Sequence, residues 1–341
     1  MPTSPWQQRG AVSTALLPLA ALFEALARRR RHRLEASRGP SPLPVLVIGN
    51  LAVGGTGKTP LVAAVIALCT ARGVRCGIVS RGYGGRAQRA PRSVRTDDDP
   101  AETGDEPLML HRLTGVPVVV CTARAQAVAA LAARGDIDLV IADDGLQHYA
   151  MARAAEVCVI DARTGLGNGR TLPAGPLRER ACRLDEVDVI ALRDGDDPDT
   201  RPPGVSGWPA GPSRGTFTLV PDRLVTLDGD ERDLHALSGL RAHAVAGIGR
   251  PQRLFDALRG LGMEVVPHAF ADHHRYRTRD LLFDEALPIV TTSKDAVKIA
   301  RLVPSPVEVL ELRMRTVLSA ALDTALVALL ERLTTETRTC R

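Results

Sequence analysis

Lysine is scarce in this sequence: Lys58, Lys294 and Lys298 are the only three among 44 basic residues. Arginine is the default cation, so each remaining lysine marks a place where a compact ammonium suits better than a planar guanidinium. Aromatic residues make up only 3% of the chain, which argues against a stacking platform for single-stranded nucleic acid. The six cysteines (69, 76, 121, 158, 182 and 340) form no C-x-x-C pair and no zinc-like spacing. They read as reduced core residues, neither staples nor metal ligands. Also missing are a guanine-reading Asn-Lys-x-Asp, the third glycine of a dinucleotide fingerprint at Gly247-x-Gly249, internal repeats and heptads. No obligate protein partner is evident.

Excess positive charge is absent from most of the chain. The net +5 is held by residues 1–40, where seven arginines face two glutamates, and the remainder is balanced. A basic groove running over the fold, and with it nucleic-acid binding, is not implied. Residues 11–27 are apolar apart from Ser13, Thr14 and Glu24, and Arg28 to Arg31, His32 and Arg33 follow at once. Those 17 residues, Pro18 among them, fall short of the about 20 that a bilayer span needs. An interfacial helix with a polybasic collar on an anionic membrane surface fits them. A helix docked on the core and a cleaved signal peptide are the competing readings; arginines directly after Ala25-Leu26-Ala27 oppose export.

What the chain does have is a phosphate loop. The β-rich run Val45 to Ile48 breaks into Gly49-Asn50-Leu51-Ala52-Val53-Gly54-Gly55-Thr56-Gly57-Lys58-Thr59-Pro60, and helical spacing begins at Leu61. Strand, glycine turn and helix in that order let consecutive backbone N–H groups and a helix N-terminus surround an anion. Val53 to Thr59 are the expected cradle, with Lys58 reaching the β- and γ-phosphates and the Thr59 hydroxyl on Mg²⁺. Ala52 stands where the usual pattern begins with glycine.

About 85 residues after Lys58, the apolar run Ile137 to Ala142 ends in Asp143-Asp144-Gly145-Leu146-Gln147-His148. A buried strand presenting carboxylates beside a phosphate loop is the arrangement that holds Mg²⁺. With 341 residues, 45% of them apolar and mostly Ala, Val and Leu, the fold class is α/β: a P-loop NTPase-like core with a mostly parallel sheet, a smaller C-terminal α/β domain and an N-terminal membrane-associated helix. The expected boundaries are 1–40 for the membrane-surface helix, 41–215 for the core and 216–341 for the C-terminal domain closing over the site. Residues 86–104, polar and acidic, read as a mobile loop.

Taken in order, the basic N-terminus, the P-loop, Ser80-Arg81-Gly82-Tyr83-Gly84-Gly85, Gly104-Asp105-Glu106-Pro107, Asp143 to His148, Leu172 to Glu179, Ala246 to Gly249, Asp272-His273-His274 and Lys294 to Lys298 resemble the tetraacyldisaccharide 4′-kinases of lipid A biosynthesis. Leu146, where an aromatic is common, and Thr292-Ser293 depart from the family pattern.

The resemblance implies transfer of the ATP γ-phosphate to a tetraacyldisaccharide 1-phosphate at the cytoplasmic face of the bacterial inner membrane. It implies Asp105 as base with His273 as its partner, His274 being the other choice. Glu106, Asp143, Asp144 and Thr59 would organise Mg²⁺, and Arg81, Tyr83, Gln147, His148 and Arg178 would contact the acceptor. Without the resemblance, the same P-loop and acidic strand suit a membrane-peripheral ATPase switch or chaperone, or a soluble small-molecule kinase. His273 and His274 would then be ordinary loop histidines, and Lys294 and Lys298 a solvated helix face.

Overall fold

Val45–Gly49 forms strand β1, buried along its whole length. Leu46 and Ile48 enter one apolar cluster and Val45 and Val47 another, because successive side chains of a strand leave opposite faces. A continuous apolar run of this kind belongs to a parallel sheet covered on both faces. The structure, a computed structural model, describes residue 6, residues 8–300, residue 302 and residues 307–339, with side chains to residue 335; Cys340 lies outside them.

Ahead of β1 run helices α1 (Ala11–Ala15) and α2 (Leu17–Ala36). After it come α3 (Lys58–Ala71), β2 (Cys76–Ser80), β3 (Arg92–Ser93), α4 (Pro100–Thr103), α5 (Asp105–Thr114), β4 (Val118–Val120), α6 (Arg124–Ala132), β5 (Leu139–Asp143), β6 (Ala155–Asp161) and β7 (Val189–Arg193). The remainder holds β8 (Ser213–Thr226), β9 (Glu231–Arg232), β10 (Arg241–Ala246), α7 (Gln252–Gly260), β11 (Glu264–Ala269), β12 (Ile289–Thr292), α8 (Ser293–Ile299), β13 (Val309–Leu318) and α9 (Ala320–Thr339).

These strands make one sheet in the order β11-β10-β12-β13-β8-β7-β6-β1-β5-β2-β4-β3, with β9 on β8. From β8 to β4 the pairing is parallel, and so it is from β11 to β13. The two parallel sets meet at the long antiparallel pair β8/β13. This is the expected P-loop core plus smaller α/β lobe, joined by a shared ribbon; position 215/216 falls inside β8.

The C-terminal helix crosses back. Leu322, Leu326, Leu329, Leu330 and Leu333 of α9 pack with Leu46 and Ile48 in the core of the P-loop lobe. Each such buried leucine contributes about 1.5–3 kcal/mol, so α9 is integral to that lobe. The segment 86–104 is more ordered than its composition suggests: β3 pairs with β4, and Arg92 bridges Asp98 and Glu102 at 3.0 and 3.1 Å.

The first helices dock through polar points. Asn168 donates to the Ser13 hydroxyl at 2.9 Å, Thr171 donates to Glu24 at 2.9 Å, and Arg31 pairs with Glu186 while its guanidinium lies 4.6 Å over the Tyr149 ring. Val12, Leu19, Leu22 and Leu26 remain exposed. No helix among the described residues is long and apolar enough to cross a membrane.

Candidate active site

Parallel pairing of β7, β6, β1, β5 and β2 brings their carboxyl ends to one edge of the sheet, where an open α/β fold places its ligand crevice. A cleft of about 1650 Å³ opens there and is closed on its far side by residues of the C-terminal lobe. Val53, Gly54, Gly55, Gly57, Lys58 and Thr59 line it. Thr56 does not; its hydroxyl is buried and unpartnered.

Gly57 ends the loop at φ +93°, and a Cβ on it would meet Arg193 Cδ at 2.6 Å, so only glycine fits. The loop is braced from outside by the Leu172 to Glu179 segment: Val53 N–H donates to Pro176 O at 2.9 Å and Arg178 N–H to Leu51 O at 2.8 Å. That motif is thus a backbone support for the P-loop as well as the carrier of Arg178.

At the end of β5, Asp143 is fully buried, and Asp144 follows at φ +50° with its carboxylate turned to Lys58 Nζ (3.6 Å) and Arg178 (3.2 Å). Burial, then the charges of Glu106 and Asp144, push Asp143 up to about 7. Burial acts on Asp144 in the same sense, but Lys58 and Arg178 outweigh it and hold that carboxyl below its usual value. Asp143 Oδ1 has no hydrogen-bond partner. A buried, partnerless oxygen among mutually repelling carboxylates suits a hard divalent cation. No three acidic or imidazole groups among the described residues close into a cage, as fits an ion that keeps one or two carboxylates plus phosphate and water oxygens.

The second cluster forms where α5 meets α8 and the 272–274 turn. His273 Nδ1 lies 3.0 Å from Asp105 Oδ2, while His274 pairs with Asp280 at 3.1 Å, so the geometry selects His273. Asp105 is 4% exposed and does not line the cleft, whereas His273 does. Burial tends to raise its pKa, but the hydrogen bond from His273 and the charges of Lys294 and Lys298 bring it below the ordinary value. The same hydrogen bond lifts His273 above its own, against burial. The arginine-glycine loop makes room for this pair: a Cβ on Gly85 would sit 2.4 Å from Gly104 N, so the loop lies backbone to backbone on the residue preceding Asp105. Tyr83 meets the His273 ring edge-on at 4.9 Å.

Lys294 and Lys298 are not a solvated face. Lys294 Nζ contacts Glu106 and Asp272 at 3.1 Å each and lies 4.0 Å from Asp105. Lys298 Nζ lies 2.7 Å from Asp295 and 3.9 Å from Asp105. Lys58 and Lys294 therefore line the cleft, and Lys298 stands behind it beside the buried Asp105 and Asp295.

Arg81, Tyr83, Gln147, His148 and Arg178 also line the cleft. Gln147 donates to Asn50 O at 3.1 Å and to Glu179 at 3.2 Å. Motif reading missed a group beyond the P-loop: Arg193 at the end of β7, with Arg250 just ahead of α7 and Arg253 in its first turn. The latter two each donate to Asp161, at the end of β6, at 2.8 Å, and Arg253 also reaches Asp194 at 3.1 Å. Burial and the neighbouring Arg253 charge lower Arg193 to about 10. The signal available in sequence was position alone, since each of Asp161 and Arg193 ends a parallel strand.

The family model described as Tetraacyldisaccharide-1-P 4′-kinase matches residues 12–331. A Pseudomonas aeruginosa protein named tetraacyldisaccharide 4′-kinase is 47% identical over 299 residues, 86% of either chain. The protein of that name from Alkalilimnicola ehrlichii is 50% identical over 295 residues, 85% of each. The crystal structure of LpxK from Aquifex aeolicus in complex with ATP superposes with a TM-score of 0.75 at 26% identity, covering 95% of this chain and 99% of that one.

Proposed function

The chain belongs to the tetraacyldisaccharide 4′-kinase family, and we propose that within it Lys58, Asp105 and His273 carry the reaction. The protein is an ATP-dependent kinase that phosphorylates the 4′-hydroxyl of a tetraacyldisaccharide 1-phosphate in lipid A biosynthesis. The P-loop amides from Val53 to Thr59 and the Lys58 ammonium hold the triphosphate. Thr59, Glu106, Asp143 and Asp144 would hold Mg²⁺, which would supply neutralising charge to the transferred phosphate.

A sugar hydroxyl is a weak nucleophile, so a base at the acceptor oxygen lowers the barrier. Asp105 fills that role: its lowered pKa keeps it ionised, and His273, which lines the cleft, holds and orients the carboxylate at 3.0 Å. The acceptor O–H proton passes to the Asp105–His273 pair, the O–P bond to the γ-phosphorus forms, and the bond to the β–γ bridging oxygen breaks to leave ADP. Arg81, Tyr83, Gln147, His148 and Arg178 position the acceptor.

The observation that supports this most directly is that His273, paired with Asp105 at 3.0 Å, lines the same cleft as the lysine-bearing phosphate loop. Its test is transfer from γ-labelled ATP in detergent micelles, with and without acceptor. Label is expected in the lipid; label released only as free phosphate, indifferent to lipid, would point to an ATPase switch.

The enzyme works as a peripheral protein at the cytoplasmic face of the inner membrane. Exposed Val12, Leu19, Leu22 and Leu26, followed by exposed Arg28, Arg29 and Arg33, give an apolar stripe and a cationic collar suited to an anionic lipid surface. Sedimentation with phosphatidylglycerol vesicles, weakened by salt and by Leu22→Glu, is the expected result.

A further inference from the structure

Where α2 docks on the core, a crevice remains beside it. Leu17, Ala21 and Glu24 of the helix face Arg170, Arg180 and Cys182 across a cavity of about 330 Å³, within the size range of small-ligand pockets. None of these six residues lines the active-site cleft. The helix itself keeps the two openings apart. Arg30 lies about two and a half turns beyond Ala21, so it emerges on the opposite flank of α2, where it lines the cleft.

The crevice carries more positive charge than it balances. Arg170 donates to the Ser13 and Thr14 hydroxyls at 3.0 and 3.2 Å and pairs with no carboxylate among the described residues. Arg180 comes no closer than 3.8 Å to Glu24, and its side chain is 62% exposed. Glu24, the one carboxylate lining the crevice among the described residues, already accepts from Thr171 at 2.9 Å. Arg9 stands beside Gly169, another lining residue, where a Cβ would sit 3.7 Å from Arg9 Nη2. Three guanidinium groups therefore surround one engaged acid, and a guanidinium matches the paired oxygens of a phosphate.

The crevice also opens onto apolar ground. Pro18, Ala21, Leu22 and Ala25 are exposed, and at helical spacing they carry an apolar surface round α2 from the crevice to the stripe of Leu19, Leu22 and Leu26. That stripe is the face assigned above to the membrane. An amphiphile with an anionic head fits such a place: its phosphate seats among the arginines while its acyl chains follow the helix surface into the bilayer.

We propose that this crevice binds the phosphodiester head of one anionic glycerophospholipid through Arg170 and Arg180, and so fixes the roll of α2 on the membrane. This rests on the peripheral-membrane reading above. A lipid held there leaves the opposite flank of the helix, and the cleft, free for the acceptor.

Cys182 lines the crevice and is the exposed free cysteine among the described residues. Its alkylation by a water-soluble maleimide, read by peptide mass in the full chain, therefore reports occupancy. For equal amounts of bound protein, phosphatidylglycerol-containing vesicles should slow that reaction about tenfold relative to pure phosphatidylcholine, the protection a nearly saturated site gives. Arg180→Gln and the crevice-filling Ala21→Phe should each abolish the difference, whereas Arg29→Gln in the collar should weaken partition and preserve it. Phosphoryl transfer in detergent micelles without phospholipid should be unaltered in Arg180→Gln; a loss there would assign Arg180 to the acceptor and overturn the proposal. Equal protection by phosphatidylcholine, or protection that survives both Arg180→Gln and Ala21→Phe, also overturns it. Equal protection by soluble glycerol phosphate does so in favour of a soluble phosphate ester. Wild type that binds no vesicles overturns the membrane reading and this proposal with it; wild type that binds while Cys182 reacts as freely as in solution overturns this proposal alone.

Discussion

His273 Nδ1 lies 3.0 Å from Asp105 Oδ2 although 168 positions of chain separate them. Asp105 opens α5 in the P-loop lobe and His273 hangs from the turn after β11, so the pair exists only when the two lobes meet. α8 brings Lys294 and Lys298 to the same carboxylate. If Asp105 and His273 act as proposed, phosphoryl transfer should require the C-terminal lobe to be seated.

Replacing Asp105 by Asn should lower kcat by about 10²–10⁴ while leaving ATP binding nearly unchanged, as read by steady-state kinetics alongside a fluorescent-nucleotide titration. His273→Asn should cost less and should also move the pH profile. His273 is among the groups holding the Asp105 pKa down, so its removal raises that pKa, and the acid limb of kcat should shift to higher pH. An unmoved limb would detach His273 from the base.

Lys58→Ala removes the cation 3.6 Å from Asp144 and, with it, the point charge proposed for the β- and γ-phosphates. Both KM for ATP and kcat should deteriorate, and Lys58→Arg should not restore them, because a planar guanidinium does not substitute for a compact ammonium at a phosphate. A fully active Lys58→Ala enzyme would remove the phosphate loop from the mechanism.

Much of this was legible before folding, and for physical reasons. The P-loop strand, its helix and the acidic strand carry local signals: an apolar run, glycines where the backbone must turn, carboxylates at a strand end. The rarity of lysine was informative, since two of the three line the cleft and Lys298 lies beside Asp105 behind it, although Lys294 and Lys298 four apart on a helix equally suit a solvent face until Asp105 is placed opposite them. What sequence could not supply was the joining of the lobes. β8 begins in a Pro- and Gly-rich stretch that reads as a boundary, and its partner β13 lies about 95 residues on, a pairing no local pattern announces. The Asp161–Arg250–Arg253 group escaped for the same reason, as did the engagement of Arg178 with Asp144.

His148 makes stability depend on pH in a definite sense. Its pKa falls from 6.5 to about 4 on folding, so the folded state resists protonation that the unfolded chain accepts. Its contribution is intact above 6.5 and is lost as pH falls toward 4. The loss approaches about 3 kcal/mol at the acid end. In urea unfolding, His148→Gln should flatten the decline between pH 6.5 and 4; an unchanged slope would mean that other groups carry it.

Asp161 should prove a structural tie between the lobes. It is 1% exposed and accepts from Arg250 and Arg253 at 2.8 Å each, as well as from the backbone N–H groups of Arg163 and Thr164 at 3.1 and 3.2 Å. Asn keeps the shape and removes the charge, leaving Arg250 without its carboxylate and Arg253 with Asp194 alone. Deleting one partner of a buried pair costs about 3–5 kcal/mol; with Arg250 partly solvated, about 2–3 kcal/mol is the expectation, visible as a lowered Tm. Burial tends to raise the pKa of Asp161, but Arg250 and Arg253 outweigh it and hold the pKa below the ordinary value of 3.8. The stabilisation is therefore present above 3.8 and fades as pH drops toward the depressed value, and Asp161→Asn should lack that part of the acid decline. Because Arg253 also faces Arg193, which packs over Gly57, the variant should raise KM for ATP as well. A lower Tm with unaltered nucleotide binding would confine Asp161 to holding the lobes together.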